Sequence, residues 1–248
     1  MKKYALLVAG RSELRHLNDL EHCYRTLTNE CNIPPQNIFV LYYNGAMHFD
    51  LMDFKYLHSA PLYYQDNTRL TIDIRGEATP QTLKQTFSKL RLMLSSEDML
   101  YVMTSGHGSR RELYLAKEME EPNTESELSC ALKHPAIGAE LFGHLLGQLP
   151  SYHSLVVVMG QCYSGGFQDS VMTHSTATTT LFSAACEADK ESAGDEHFTP
   201  FLHYWMTSLA SAPLSEPKVH HQYAVSHTLP FDSPVIRVST KQATLENE

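Results

Sequence analysis

Five short apolar runs, spaced along the chain with helix-like segments among them, limit what this sequence can build. Tyr4–Ala9, Ile38–Tyr43, Met99–Thr104, Leu155–Met159 and Thr180–Ala185 are almost unbroken stretches of hydrophobic residues. Runs of this length without polar alternation are strands covered on both faces. None approaches the ~20 residues that a membrane-spanning helix requires. Between the first two runs, Leu14, Leu17, Leu20, Tyr24, Leu27 and Cys31 recur at helical spacing until Pro34-Pro35 stops them. Strand, helix, strand in repetition means a mainly parallel sheet, because parallel neighbours need a crossover that a helix supplies.

The later segments extend that pattern. Thr79-Pro80 supplies an N-cap and a proline at the first helical position, and Leu83, Phe87, Leu90 and Leu94 form one face of the helix that follows. Ile137, Leu141, Leu145 and Leu149 mark a helix that ends at Pro150. Thr199-Pro200 opens another, with Phe201, Leu202, Trp205 and Leu209 inward. Leu113-Tyr114-Leu115 suits a small hairpin arm. Residues 44–75, rich in tyrosine, read as an irregular excursion; Glu118–Pro135 and Glu187–Glu196 read as acidic, solvated loops. After Pro213 the chain reads as irregular up to an edge strand at Val235–Ser239, and Lys241–Glu248 as a polar tail. The expectation is a three-layer α/β domain over residues 1–212, its mainly parallel central sheet flanked by helices, with 213–248 as a C-terminal extension.

Charge and cysteine usage narrow the functional classes. A formal net charge of -9 repels phosphates, so neither nucleic acid nor an anionic membrane surface is an expected partner. The cysteines (Cys23, Cys31, Cys130, Cys162 and Cys186) are odd in number and lack the spacing of a metal site or a disulfide framework, which points to a reducing, cytoplasmic setting. Met1-Lys2-Lys3 before Tyr4–Ala9 has the look of a leader, but the run is short and Arg11 and Glu13 follow at once; it reads as the first strand. The chain has 14 histidines but no His-Glu-x-x-His pattern, so no metal or other cofactor is expected, and His220-His221 are expected on the surface.

Two segments carry chemistry. Ser105-Gly106-His107-Gly108-Ser109 and Gly160-Gln161-Cys162-Tyr163-Ser164-Gly165-Gly166 each follow a buried strand. A parallel sheet places functional groups beyond the carboxyl ends of its strands, so His107 and Cys162 can meet there as a thiol and its proton-transfer partner. Gly108 and Cys162 are candidates for the backbone N–H groups that hold an oxyanion, and Gly165 and Gly166 for a tight turn that exposes the sulfur.

The ordered set of strand, His-Gly, helix, strand and Cys resembles the caspase-like cysteine peptidases, a clan that includes caspases, metacaspases, gingipains and legumains. The segment Cys162-Tyr163-Ser164-Gly165-Gly166 is similar to the nucleophile turn of its bacterial members. Ala9-Gly10, Arg15-His16 and Ile33-Pro34 are similar to the legumain and transamidase family, as are Ser183-Ala184-Ala185 and Glu191-Ser192. The resemblance spans roughly residues 3 to 210. It implies a caspase-like fold, Cys162 as nucleophile and His107 as its acid/base partner. It also implies substrate-binding roles for Arg15 in the pocket floor, for Asp195 as a pocket acid and for Ser183. Two positions depart from the family pattern. Gly160 stands where legumains carry an acid and caspases a glutamine, and Glu13 replaces an asparagine that orients the histidine.

The expected activity is therefore that of a cysteine endopeptidase acting on a peptide or protein, with cleavage after Asp or Asn if Arg15 recognises the substrate side chain. Were the acidic loop at 187–196 the pocket wall instead, Arg or Lys would be preferred. A transpeptidase or ligase would use the same two residues, and an inactive binding module would keep the fold alone.

Overall fold

A computed structural model describes residues 1–10, 13–43, 45, 71–116, 135–228 and 230–241. Most of the tyrosine-rich stretch at 44–75, the acidic stretch at 118–135 apart from Pro135, Cys130 and the tail after Lys241 lie outside the described residues.

A seven-stranded sheet forms the centre. Its strands are β1 (Lys3–Ala9), β2 (Ile38–Tyr42), β3 (Ile74–Gly76), β4 (Met99–Ser105), β8 (Tyr152–Met159), β9 (Ala177–Ala184) and β10 (Val235–Thr240), the numbers β5 to β7 belonging to a small arm. They lie in the order β10-β9-β8-β4-β1-β2-β3, all pairs parallel except β10 with β9. The chain builds outward from β1 through β2 to β3, then returns to the other flank of β1 with β4. The carboxyl ends of β1 and β4 therefore border the point at which the winding reverses, where sheets of this kind open a crevice.

The continuous apolar runs are explained by cover on both faces. In β1, Leu6 and Val8 share a core with Phe87 of α2 (Pro80–Met93) and Phe142 of α3 (Ala139–Gly147). Their neighbours Leu7 and Ala9 share the opposite core with Leu20 of α1 (Leu14–Asn29) and Trp205 of α5 (Pro200–Leu209). Strand geometry sends successive side chains to opposite faces, so a strand sandwiched between helix layers has no exposed side to mark with polar residues. The expected N-cap of α2 is present, with Thr79 accepting a hydrogen bond from the Thr82 N–H at 3.1 Å and Pro80 following.

Helix α1 is buried well beyond its apolar stripe. Asn18, Asp19, Glu21 and His22 are all inaccessible. Glu21 accepts hydrogen bonds from Thr71 N and Oγ1 and from Ile72 N, each at 2.8 Å, and pairs with Arg25, fastening the segment that leads into β3. Asn18 donates to the His197 carbonyl at 2.9 Å, fastening the loop ahead of α5.

Several expectations need correction. Ile137 is not in a helix: it lies in β7 (Ala136–Gly138), which joins β5 (Gly108–Ser109) and β6 (Glu112–Tyr114) in a three-stranded arm, and α3 begins only at Ala139 with Leu141 exposed. Cys31 lies beyond the end of α1. A short helix, α4 (Gln168–His174), follows the nucleophile turn. The segment after Pro213 contains α6 (Pro217–Thr228), on which His220 and His221 are buried rather than exposed. His220 Nδ1 lies 3.0 Å from Ser208 Oγ, and His221 Nδ1 lies 2.8 Å from Ser183 Oγ, so two histidines and two hydroxyls satisfy one another inside the fold.

Candidate active site

The register of β4 against β8 assembles the site. Thr104 is paired with Met159, and the Gly160 N–H continues the ladder by donating to the Thr104 carbonyl at 2.9 Å. His107 and Cys162 each stand three residues past that pair. The two loops then touch. A Cβ at Gly108 would lie 2.8 Å from the Cys162 carbonyl oxygen, 2.8 Å from the Glu112 carbonyl and 2.9 Å from Gln161 Cγ, so only a residue without a side chain permits this approach. Beneath the contact, buried Gln161 accepts a hydrogen bond from Thr104 Oγ1 at 2.7 Å.

The arm also orients Gly108. Tyr114 N donates to the His107 carbonyl at 3.0 Å while Gly108 faces Leu113, which makes Gly108 and Leu113 a non-hydrogen-bonded pair of the antiparallel ladder. The Gly108 N–H is consequently directed away from β6.

The turn that presents the sulfur owes its shape to Tyr163. Its φ of 58° is left-handed, and its N–H donates to the Lys190 carbonyl at 2.8 Å. Gly165 and Gly166 lie in the tight 3-10 turn Ser164–Phe167 that follows, closed by the Gly166 N–H donating to the Tyr163 carbonyl at 3.0 Å, without positive φ; Gly165 also lets the backbone of Cys186 and Ala188 close in. Cys162 is half-buried, its Sγ 3.7 Å from Ser192 Oγ, which donates to the Gly160 carbonyl at 2.9 Å. Ser192 is a neighbour that the sequence did not single out as a site residue. Its loop is held from behind by Asp232, which accepts the Ala193 N–H at 2.6 Å.

Beside His107 lies a chain of charged and polar contacts from the start of α1. Glu13 Oε1 is 2.9 Å from His107 Nε2, and Glu13 Oε2 is 2.6 Å from Arg15 Nη1. The Glu13 N–H donates to His16 Nδ1 at 3.0 Å. His16 is buried, and that burial, with Arg15 and His107 close by, drops its pKa to about 3. It is a neutral imidazole with Nδ1 as acceptor, so its proton sits on Nε2, and the 3.3 Å approach of Arg15 Nε to that nitrogen is a contact rather than a hydrogen bond. His16 sets its ring edge-on to His107, centroids 5.1 Å apart. With Nε2 of His107 donating to Glu13, Nδ1 is the basic nitrogen of the neutral ring.

The remaining expected site residues divide. Gly194 lies against the guanidinium of Arg15, where a Cβ would come within 3.1 Å of Cζ, so the loop containing Asp195 borders Arg15. The Asp195 carboxylate folds back to accept the N–H groups of His197 and Phe198 at 2.7 and 2.6 Å. Ser183 is not brought to this group: it is inside β9, fully buried, with its hydroxyl on His221. A cavity of about 670 Å³ lies at the opposite, amino-terminal end of the sheet, lined by residues such as Lys3, Met99, Leu155 and Pro213, and is remote from Cys162. Among the described residues no cluster of His, Cys, Asp and Glu suits a metal ion, and no helix is long and apolar enough to cross a membrane.

The peptidase C13 family model matches residues 3–229 of the chain. No curated protein matches it. Among solved structures, the crystal structure of protein GSU0716 from Geobacter sulfurreducens superposes with a TM-score of 0.58 at 12% identity, over 98% of this chain and 95% of that one. At that identity the likeness is one of fold.

Proposed function

Since the chain belongs to the peptidase C13 family, cysteine peptidases on a caspase-like α/β fold, we propose that its bond-breaking step runs through Cys162 and His107. The observation that carries this reading is the β4–β8 register, which ends both loops at corresponding positions beyond Thr104 and Met159 and packs Gly108 on the Cys162 carbonyl.

In this mechanism His107 Nδ1 takes the proton of the Cys162 thiol, and the thiolate attacks the scissile carbonyl carbon. The N–H groups of Gly108 and Cys162 hold the resulting oxyanion. Collapse of the tetrahedral intermediate breaks the C–N bond, and the imidazolium gives its proton to the leaving amine. His107 then deprotonates the water that hydrolyses the thioester. Glu13 keeps the proton of the neutral ring on Nε2, leaving Nδ1 to face the thiol.

We extend the proposal to the substrate residue. The Arg15 guanidinium, beside Gly194 at the mouth of the site, supports cleavage after Asp or Asn, whose side-chain oxygen suits a forked donor. Cleavage sites mapped by mass spectrometry on a proteome digest test both parts. The wild type is expected to cut after Asp or Asn and Cys162→Ala to cut nothing. Cleavage by Cys162→Ala overturns the assignment of the nucleophile, and a preference for Arg or Lys overturns the role of Arg15.

A further inference from the structure

Asp19 is a buried carboxylate that the mechanism above does not use. It sits on α1, four residues after Arg15 and hence on the same helical face. Its oxygens are divided between two other elements. Oδ2 accepts from Ser105 Oγ at 2.6 Å, and Oδ1 accepts the backbone N–H of Thr199 at 3.0 Å. Ser105 is the last residue of β4, two before His107. Thr199 precedes α5 and closes the loop that contains Ser192, Gly194 and Asp195.

We propose that Asp19 is a positioning residue of the reaction, fixing the His107 turn through Ser105 and the Ser192 loop through Thr199, so that one side chain holds both flanks of the thiol. The inference rests on the assignment of Cys162 and His107 as the reacting pair. Glu21, the next buried acid on the helix, has Arg25 and three further donors and simply fastens a neighbouring segment. Asp19 has only uncharged donors, the Ser105 hydroxyl and the backbone N–H and hydroxyl of Thr199, and the carboxylate that acts on it is Asp195, of like sign. Burial lifts its pKa to about 7, so a charge kept there near neutral pH works against folding. A group that costs stability while it links catalytic segments fits a role in activity rather than in folding.

The groups around it define its pH response. Asp195 faces it from the loop and Cys23 from α1 itself; β4 and the start of α5 present Ser105 and Thr199, which do not titrate. Ionised, Asp19 accepts from both partners. Protonated, it has a proton to give, and the hydrogen bond to Ser105 reverses. The amide of an Asp19→Asn variant resembles the protonated state at every pH.

The test is peptide turnover from pH 5 to 9 with Asp19→Asn, Ser105→Ala and the double variant, each alongside thermal unfolding at pH 8. We expect Asp19→Asn to lose about tenfold in kcat at pH 8 with KM unchanged, to lack the wild type's rise in rate near pH 7, and to unfold no more easily than the wild type. Ser105→Ala should lose a similar factor, and the double variant no more than either single change. Turnover within twofold of wild type throughout, or parallel loss of activity and stability, overturns the proposal. If Asp19→Asn does not fold, Ser105→Ala decides alone, since its hydroxyl makes the link to the His107 turn. Activity persisting in Cys162→Ala would instead strike the reading on which the inference rests.

Discussion

His107 Nε2 lies 2.9 Å from Glu13 Oε1, and the other oxygen of that carboxylate lies 2.6 Å from Arg15 Nη1. A single acid at the entrance of α1 therefore orients the imidazole and partly neutralises the guanidinium beside it. Because the three side chains are partly exposed, the contribution to stability is small, and the effect is expected in turnover. Glu13→Gln keeps an acceptor for the Nε2 proton but removes the charge; Glu13→Ala removes both. The expected order of kcat is wild type, Gln, Ala, with the Ala variant down by about 10- to 100-fold. Steady-state kinetics showing Ala equal to wild type would exclude the orienting role.

Gly108→Ala forces a methyl group to 2.8 Å from the carbonyl oxygens of Cys162 and Glu112. Both are backbone atoms, which cannot rotate aside. The His107 and Cys162 loops must separate, and a displacement of that kind costs on the order of 100-fold in rate. Turnover and circular dichroism measured together check this: a folded but nearly inactive variant is expected, and a fully active one contradicts the proposed contact.

Gly160 occupies the position where legumains have an acid, and the structure supplies a reason for the change. A Cβ there would lie 2.5 Å from Leu202 Cδ1 of α5, so the side chain of Leu202 fills the space. Gly160→Ala should overpack the site and destabilise the protein by about 1–3 kcal/mol. Leu202→Ala leaves a cavity and costs about 2–5 kcal/mol alone. The double variant is expected to lose clearly less than the sum, measured by urea unfolding; strict additivity would refute the steric link.

His221 is held neutral in the fold, with burial lowering its pKa to about 4. The unfolded chain takes up a proton near pH 6.5, so between pH 6.5 and 4 the unfolded state binds more protons and stability falls with acidification. This contribution is complete above pH 6.5 and lost as pH falls through that window. His16 acts in the same sense, whereas Asp19 and Asp232, whose pKa values are raised by burial to about 7 and about 6, act in the opposite sense as pH rises above 4. His221→Asn removes one proton-linked site while leaving an amide able to pair with Ser183. Its stability should decline less between pH 6.5 and 4, by on the order of 2 kcal/mol. An unchanged slope in denaturant titrations would show that His221 does not titrate with unfolding.

The strands of the sheet were legible because Leu6, Leu7, Val102, Val157 and their neighbours are covered on both sides, leaving no polar interruption in the run. The positions of His107 and Cys162 followed from the same logic, as residues just past strand ends. Helix α6 was not legible: its buried stripe is His220, His221, Ala224 and Thr228, which hydrophobic periodicity does not register as a core face. Asp19 was hidden for a related reason. An acid in an amphipathic helix normally marks the solvent side, but here the loop before α5 covers that side and supplies its hydrogen-bond donor. Ser183 misled in the other direction, since similarity of the surrounding residues suggested a pocket while its hydroxyl satisfies a histidine from a helix the sequence did not reveal.

The matched position of Thr104 and Met159 has a bearing on how this chain fails. Adjacent strands that slip must move by two residues to keep their faces, a shift of about 7 Å along the strand. A slip of β4 against β8 would preserve much of the sheet and its apolar burial while shifting the His107 turn by the same distance relative to the Cys162 turn. Under the proposed Cys162–His107 mechanism, catalysis thus doubles as a proofreading readout of strand pairing: a misregistered molecule is expected to be silent rather than a peptidase with altered selectivity.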